Sequence, residues 1–184
     1  YICREYGEYY GIDLPDTAIK YCNLKNIPNV VVGDVRHLAY EDETFDVVLS
    51  MDVFEHVDDD IKAIKEIIKV LKPGGKLIFD IPALMMLFSY HDESFHHLRR
   101  YRAREISQKL NSAGFKNTFI TYWSFFMLPP VLFVRKGFFR KRQKDVVKLS
   151  DFHLRIPVII EIILKMVYRL EVLLIGSGLR FPFG

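Results

Sequence analysis

Cysteine is nearly absent. The 184 residues hold two, Cys3 and Cys22. A disulfide framework is therefore excluded, and a reducing, cytoplasmic setting is expected. The ten glycines are scattered, apart from the pair Gly74-Gly75, so the chain carries no glycine-rich phosphate loop. It has no internal repeat and no low-complexity tract. The opening stretch Tyr1 to Tyr10 is charged throughout, so no leader pattern is read there. The longest apolar region, 154–175, contains Glu161, Lys165, Arg169 and Glu171, which argues against a membrane span.

What is present suits a folded domain. Half the residues are hydrophobic and 27% are charged, and the length supports a sizeable core. The net charge of +3 conceals an asymmetry. Residues 1–134 hold 15 Lys/Arg and 19 Asp/Glu, whereas 135–148 hold seven basic residues and one acid. Any partner of that basic block is thus a local one.

The hydrophobic periodicity alternates between strand and helix. Strands are expected at 8–14, 27–34, 44–52, 75–82 and 116–123. Helices are expected at 15–26, 58–72 and 102–115. Ile61, Ile64, Ile67/Ile68 and Leu71 form one apolar stripe, with Asp58 to Asp60 at the favourable N-terminal end of the dipole. The unbroken apolar centre of "TFDVVLSMD" suits a parallel strand covered on both faces. This alternation predicts an α/β fold built on an open, mostly parallel sheet, with ligands at the carboxyl edge of the strands.

Two acids stand at strand ends, Asp13 and Asp34. A carboxylate there either accepts hydroxyls or an amino group of a nucleoside, or it caps the following turn. "MDVFEHV" groups Asp52, Glu55 and His56, and "SYHDESFHHLRRY" supplies His91, Asp92, His96 and His97. His37 and His153 belong to no motif.

The series "GIDL", "VVGDVRHLAYEDETFDVVLSMDVFEHV" and "LKPGGKLIFDIP" resembles the class I S-adenosylmethionine-dependent methyltransferases. The resemblance covers about residues 1–125. It implies a Rossmann-like sheet of strand order 3-2-1-4-5-7-6. The family's D-x-G-x-G-x-G loop has no counterpart here, and the matching segments imply a chain lacking the first strand with that loop, and the last strand. The division expected is a partial methyltransferase core over 1–125 and an accessory segment over 126–184.

By position, the resemblance implies that Asp13 holds the ribose hydroxyls with Leu14 beside the adenine. It puts Asp34 at the adenine amino group with Val35 next to it, and Ser50 and Met51 at the methionine end of S-adenosylmethionine. "HHLRRY" resembles the family's "GHxRRY". That makes His97 the expected general base, with His56 second, and Arg99, Arg100 and Tyr101 the expected substrate contacts. Imidazole is suited to taking a proton from an attacking hydroxyl. The acid-x-x-Glu-His…His pattern also resembles metal-dependent O-methyltransferases, implying Asp52, Glu55, His56 and His97 as a divalent-metal set. In metal-free relatives the His packs or touches substrate.

The expected reaction is O-methylation of a small or lipid-linked acceptor. The alternatives are a degenerate binding module without activity and a nicotinamide-dependent oxidoreductase. No nucleic-acid partner is expected, because the basic block matches no such module. The apolar helix beside that block fits a helix lying on an anionic membrane, a cap over the pocket, or a dimer contact.

Overall fold

The computed structural model describes residues 5–14, 16–88, 90–133 and 157–182. The basic block 135–148, His153 and Cys3 lie outside the described residues. The chain divides into two units, Tyr1–Thr118 and Phe119–Gly184. The division falls seven residues before the expected one.

The first unit alternates strand and helix: β1 (Gly11–Asp13), α1 (Asp16–Leu24), β2 (Val30–Val32), β3 (Phe45–Met51), α2 (Asp60–Val70), β4 (Leu71–Asp80), a short α3 (Tyr90–Ser94) and α4 (Ala103–Ala113). All pairing between these strands is parallel, and it occurs in two separate pairs. β1 pairs with β2, placing Asp13 opposite Val32, and β3 pairs with β4, placing Met51 opposite Asp80. The two pairs are not joined to each other among the described residues. In the strand order implied by the resemblance, the first family strand would stand between them.

The core lies on one side of the β3–β4 pair. Ala63, Ile64, Ile67 and Val70 of α2 are buried, as are Ile106 and Leu110 of α4, with Phe54, Leu71 and Tyr101. Asp59 caps α2 by accepting from the Lys62 N–H at 3.0 Å. The other face of β3 is not covered as expected. Val47, Leu49 and Met51 alternate toward solvent, each about half exposed. The apolar run is thus a two-faced strand of which only one face is packed here.

"LKPGG" works differently from a plain helix stop. The helix ends at Val70, and Leu71 already pairs with Phe45. Lys76 then pairs with Val47, so residues 72–75 bulge out opposite Asp46 alone. Gly74 adopts φ +81°, and a Cβ on Gly75 would stand 2.9 Å from the Lys72 carbonyl oxygen. Both glycines are required by the bulge. The expected fifth strand at 116–123 does not form: these residues pair with no strand among the described residues. Instead Thr121 Oγ1 accepts from the Phe181 N–H at 3.0 Å within the second unit.

That unit contains α5 (Leu128–Phe133) and α6 (Val158–Gly176). Phe125 and Phe181 stack with ring centroids 4.8 Å apart. Glu171 of α6 is buried and accepts from the Phe125 N–H at 2.9 Å. Among the described residues no helix is long and apolar enough to cross a membrane.

Candidate active site

Parallel pairing brings the ends of neighbouring strands to one edge. At the β1–β2 edge the Gly33 N–H donates to the Asp13 carbonyl at 3.0 Å, which sets Asp34 just beyond Asp13. Asp13 and Leu14 are exposed, and Val35 is half-buried. Asp34 is already occupied. Arg36 Nε donates to both its oxygens at 3.0 Å, Arg36 Nη2 donates to Oδ2 at 2.6 Å, and the Arg36 backbone N–H donates to Oδ1 at 2.8 Å. These hydrogen bonds from Arg36 hold the Asp34 carboxyl down at about 2. A carboxylate offers about four acceptor positions, so little of Asp34 is left for an adenine amino group in this arrangement. The same Arg36 reaches Asp58 just ahead of α2.

The β3–β4 edge is deeper. Ser50 is buried and its hydroxyl has no hydrogen-bond partner, whereas Met51 is half exposed. The Asp52 N–H donates to the Asp80 carbonyl at 3.0 Å, and Asp52 turns the chain at φ +49°. That left-handed residue, tolerable for an aspartate, leads into a single 3-10 turn over Phe54–His56. The turn drives Glu55 inward. Glu55 is 0% exposed, and among the described residues its carboxyl oxygens meet only the Asp52 carboxyl and its own backbone N–H, neither with full hydrogen-bond geometry. Burial, helped by the negative charges of Asp52 and Asp80, pushes its carboxyl up to about 7.

The His97 loop closes over this turn. The Leu98 N–H donates to the Glu55 carbonyl at 2.8 Å. The imidazoles of His56 and His97 meet edge to face with centroids 4.8 Å apart, and His56 Nε2 lies 3.9 Å from Glu55 Oε1. Glu55, His56 and His97 each offer a donor atom within 4.8 Å of the others. Asp52, the fourth residue of the expected metal set, is not part of that cluster. Its carboxyl raises Glu55 instead, through its charge and a side-chain hydrogen bond.

Three expected substrate residues have other employment. Tyr101 is 1% exposed, and its hydroxyl donates to Asp60 at 2.7 Å and lies 3.0 Å from the Phe54 carbonyl. Burial and the Asp60 charge push its phenol well up. Tyr101 thus braces the Glu55 turn from the core and does not face a substrate. Arg99 donates to the Asp58 carbonyl at 3.1 Å and pairs with Asp60 at 3.4 Å. Arg100 donates to Asp92 at 2.7 Å and to the Ala83 carbonyl at 3.0 Å. The "RRY" run ties the loop to the body of the unit. A cation next to a short acidic stretch reads the same in sequence whether it meets substrate or protein.

Two residues are named from the sequence without the roles that they take. Asp60, read only as a helix-start charge, is buried and accepts from Tyr101, Lys109 and Arg99. Asp92 is 0% exposed and lies 3.1 Å from His97 Nδ1. A separation of five residues matches neither helical nor strand spacing, so no local signal marks the pair.

With this geometry in hand, known proteins can be compared. Residues 1–79 match the family model described as a methyltransferase domain. The chain is 38% identical over 76 residues to phthiotriol/phenolphthiotriol dimycocerosates methyltransferase 1 of Mycobacterium ulcerans, covering 40% of this chain and 28% of that protein. It is 30% identical over 135 residues to the demethylmenaquinone methyltransferase of Lactobacillus johnsonii, covering 60% of this chain and 55% of that one. The chain thus spans about half, or less, of the length of these relatives. In fold it is similar to a SAM dependent methyltransferase from Archaeoglobus fulgidus, at TM-score 0.57 and 22% identity over 66% of this chain and 57% of that one. Residues 1–79 are thus similar in sequence to a methyltransferase domain, and the fold is similar to the Rossmann-like fold of S-adenosylmethionine-dependent methyltransferases.

Proposed function

We propose that the protein transfers a methyl group from S-adenosylmethionine to an oxygen of a small or lipid-linked acceptor. The supporting observation is the buried Glu55 with His56 and His97 at the carboxyl edge of β3–β4, in a chain whose first 79 residues match the methyltransferase domain. Asp13 and Leu14 are the nucleoside contacts, with Asp34 and Val35 beside them. Ser50 and Met51 line the methionine end. His97 takes the acceptor's proton, and His56 is the second candidate. Methyl transfer from a sulfonium needs alignment above all, and a proton acceptor within reach completes the site. The lipid-linked class is favoured by two of the relatives, named as a phthiotriol/phenolphthiotriol dimycocerosates methyltransferase and a demethylmenaquinone methyltransferase.

Titration calorimetry with S-adenosylmethionine and with NAD tests this reading. Heat with the sulfonium and none with NAD is expected; the reverse result would replace the methyltransferase with an oxidoreductase.

The cluster also fits a divalent cation, because a buried carboxylate beside two imidazoles is a suitable mixed donor set. Glu55, His56 and His97 would hold it. When bound, such a cation lowers the pKa of a coordinated hydroxyl. Full methyl transfer in excess chelator would dismiss the metal.

The second unit supplies a membrane contact in this proposal. Ile159, Ile163, Met166, Leu170 and Leu173 recur at intervals of four and three along α6, and all are more than half exposed. The sequence just ahead, 135–148, is strongly basic. Apolar surface and positive charge together favour an anionic bilayer surface. Co-sedimentation with phosphatidylglycerol vesicles, weakened by salt, is the expected result, and no binding at low salt would remove the membrane from the account.

A further inference from the structure

Asp92 takes no part in the mechanism above, yet it is among the most completely buried acids of the chain. It sits in α3, 0% exposed, and two basic side chains converge on one of its oxygens. His97 Nδ1 lies 3.1 Å from Oδ1, and Arg100 Nε donates to the same oxygen at 2.7 Å. The backbone repeats the link, since the His97 N–H donates to the Asp92 carbonyl at 2.9 Å. His96, at φ +59°, folds the chain back so that His97 meets a residue five positions earlier. Arg100 is itself anchored on the Ala83 carbonyl at 3.0 Å.

We infer that Asp92 is the positioning residue of His97: it fixes the imidazole with its proton on Nδ1 and its lone pair on Nε2. The inference rests on the reading of His97 as proton acceptor and adds what prepares it for that role. The chemistry is direct. A neutral imidazole has one N–H, and an ionised carboxylate can only accept. The 3.1 Å contact therefore requires the proton on Nδ1. Nε2 is then the only ring nitrogen able to receive a proton. Arg100 donates to the same carboxylate and balances its charge. His56, packed edge to face, and Phe95, 6.3 Å away, limit the ring's rotation.

The test reads the tautomer first. Nitrogen-15 NMR of the histidine side chains, recorded above pH 8 and assigned by the signal lost in His97→Ala, is expected to show the His97 proton on Nδ1. A proton on Nε2 overturns the inference without any variant of Asp92. Asp92→Asn presents an amide that can donate to Nδ1, so the proton should move to Nε2. An unchanged tautomer in a folded Asp92→Asn protein also overturns it. Transfer of labelled methyl from S-adenosylmethionine into extractable lipid should then fall on the order of 10²-fold. The dissociation constant for S-adenosylmethionine should stay the same, which a general loss of structure would not permit. Failure of the underlying reading looks different: His97→Ala would leave methyl transfer intact while the tautomer still followed Asp92.

Discussion

The two edges of the first unit are built from the same parts and behave oppositely. Both are pairs of parallel strands with acids at their carboxyl ends. At the β1–β2 edge the strands are three residues long, and Asp13 is open to solvent. Asp34 there is kept ionised by an arginine two positions away. At the β3–β4 edge longer strands carry α2, on which α4 packs, and a 3-10 turn forces Glu55 into the core. A carboxylate is held down by a cation at the first edge and pushed up by burial at the second. In the proposed reading, the nucleoside end thus keeps a ready charge, and the acceptor end holds one buried carboxyl pushed up to about 7.

Four changes would break or sharpen this contrast. The largest effect is expected from His97→Ala, which should lower methyl transfer by about 10²–10⁴-fold while the affinity for S-adenosylmethionine holds. Unchanged turnover would take His97 out of the chemistry. Next comes the brace under the deep edge. Asp60→Ala strips Lys109, Tyr101 and Arg99 of their shared acceptor. A loss of about 3–5 kcal/mol in urea unfolding is expected, the range for a buried pair deprived of one partner. Wild-type stability in that variant would show that the network is dispensable.

The third change concerns pH. Glu55 has an ordinary value of 4.5 unfolded and about 7 folded, so the folded protein holds an extra proton between these values. Its contribution is most favourable below 4.5, weakens as pH rises, and levels off above about 7. Glu55→Gln should remove that slope and gain up to about 3 kcal/mol over the parent at pH 8. Parallel stability curves from pH 4 to 8 in chelator would contradict the buried acid. The smallest effect belongs to the shallow edge. Both partners of the Asp34–Arg36 pair are partly exposed. Arg36→Met should therefore cost under about 1 kcal/mol near neutrality. The loss should disappear as pH falls through 3.8 toward 2, where Asp34 takes up its proton. Freed acceptor positions should tighten S-adenosylmethionine binding; weaker binding would show that Arg36 itself helps hold the nucleoside.

Much of the framework is legible along the chain. The stripe Ile64, Ile67 and the run "FDVVLSM" fall where periodicity puts them, and Asp59 caps α2 as an acid before an apolar run should. The expected strand over 116–123 failed because alternation alone does not supply a pairing partner, and Thr121 is bonded within the second unit instead. "RRY" reads as a substrate motif until Tyr101 is found under Phe54 and the two arginines on carboxylates and carbonyls.

The sequence by itself determined the alternation of strand and helix and the acids at the strand ends, because each follows from sterics and periodicity over a few residues. Only the tertiary structure decided that Glu55 is buried, that Asp92 meets His97 and that Asp60 gathers Tyr101 and Lys109. Those contacts join residues at spacings no local repeat encodes, and burial depends on what the remainder of the chain packs over a side chain.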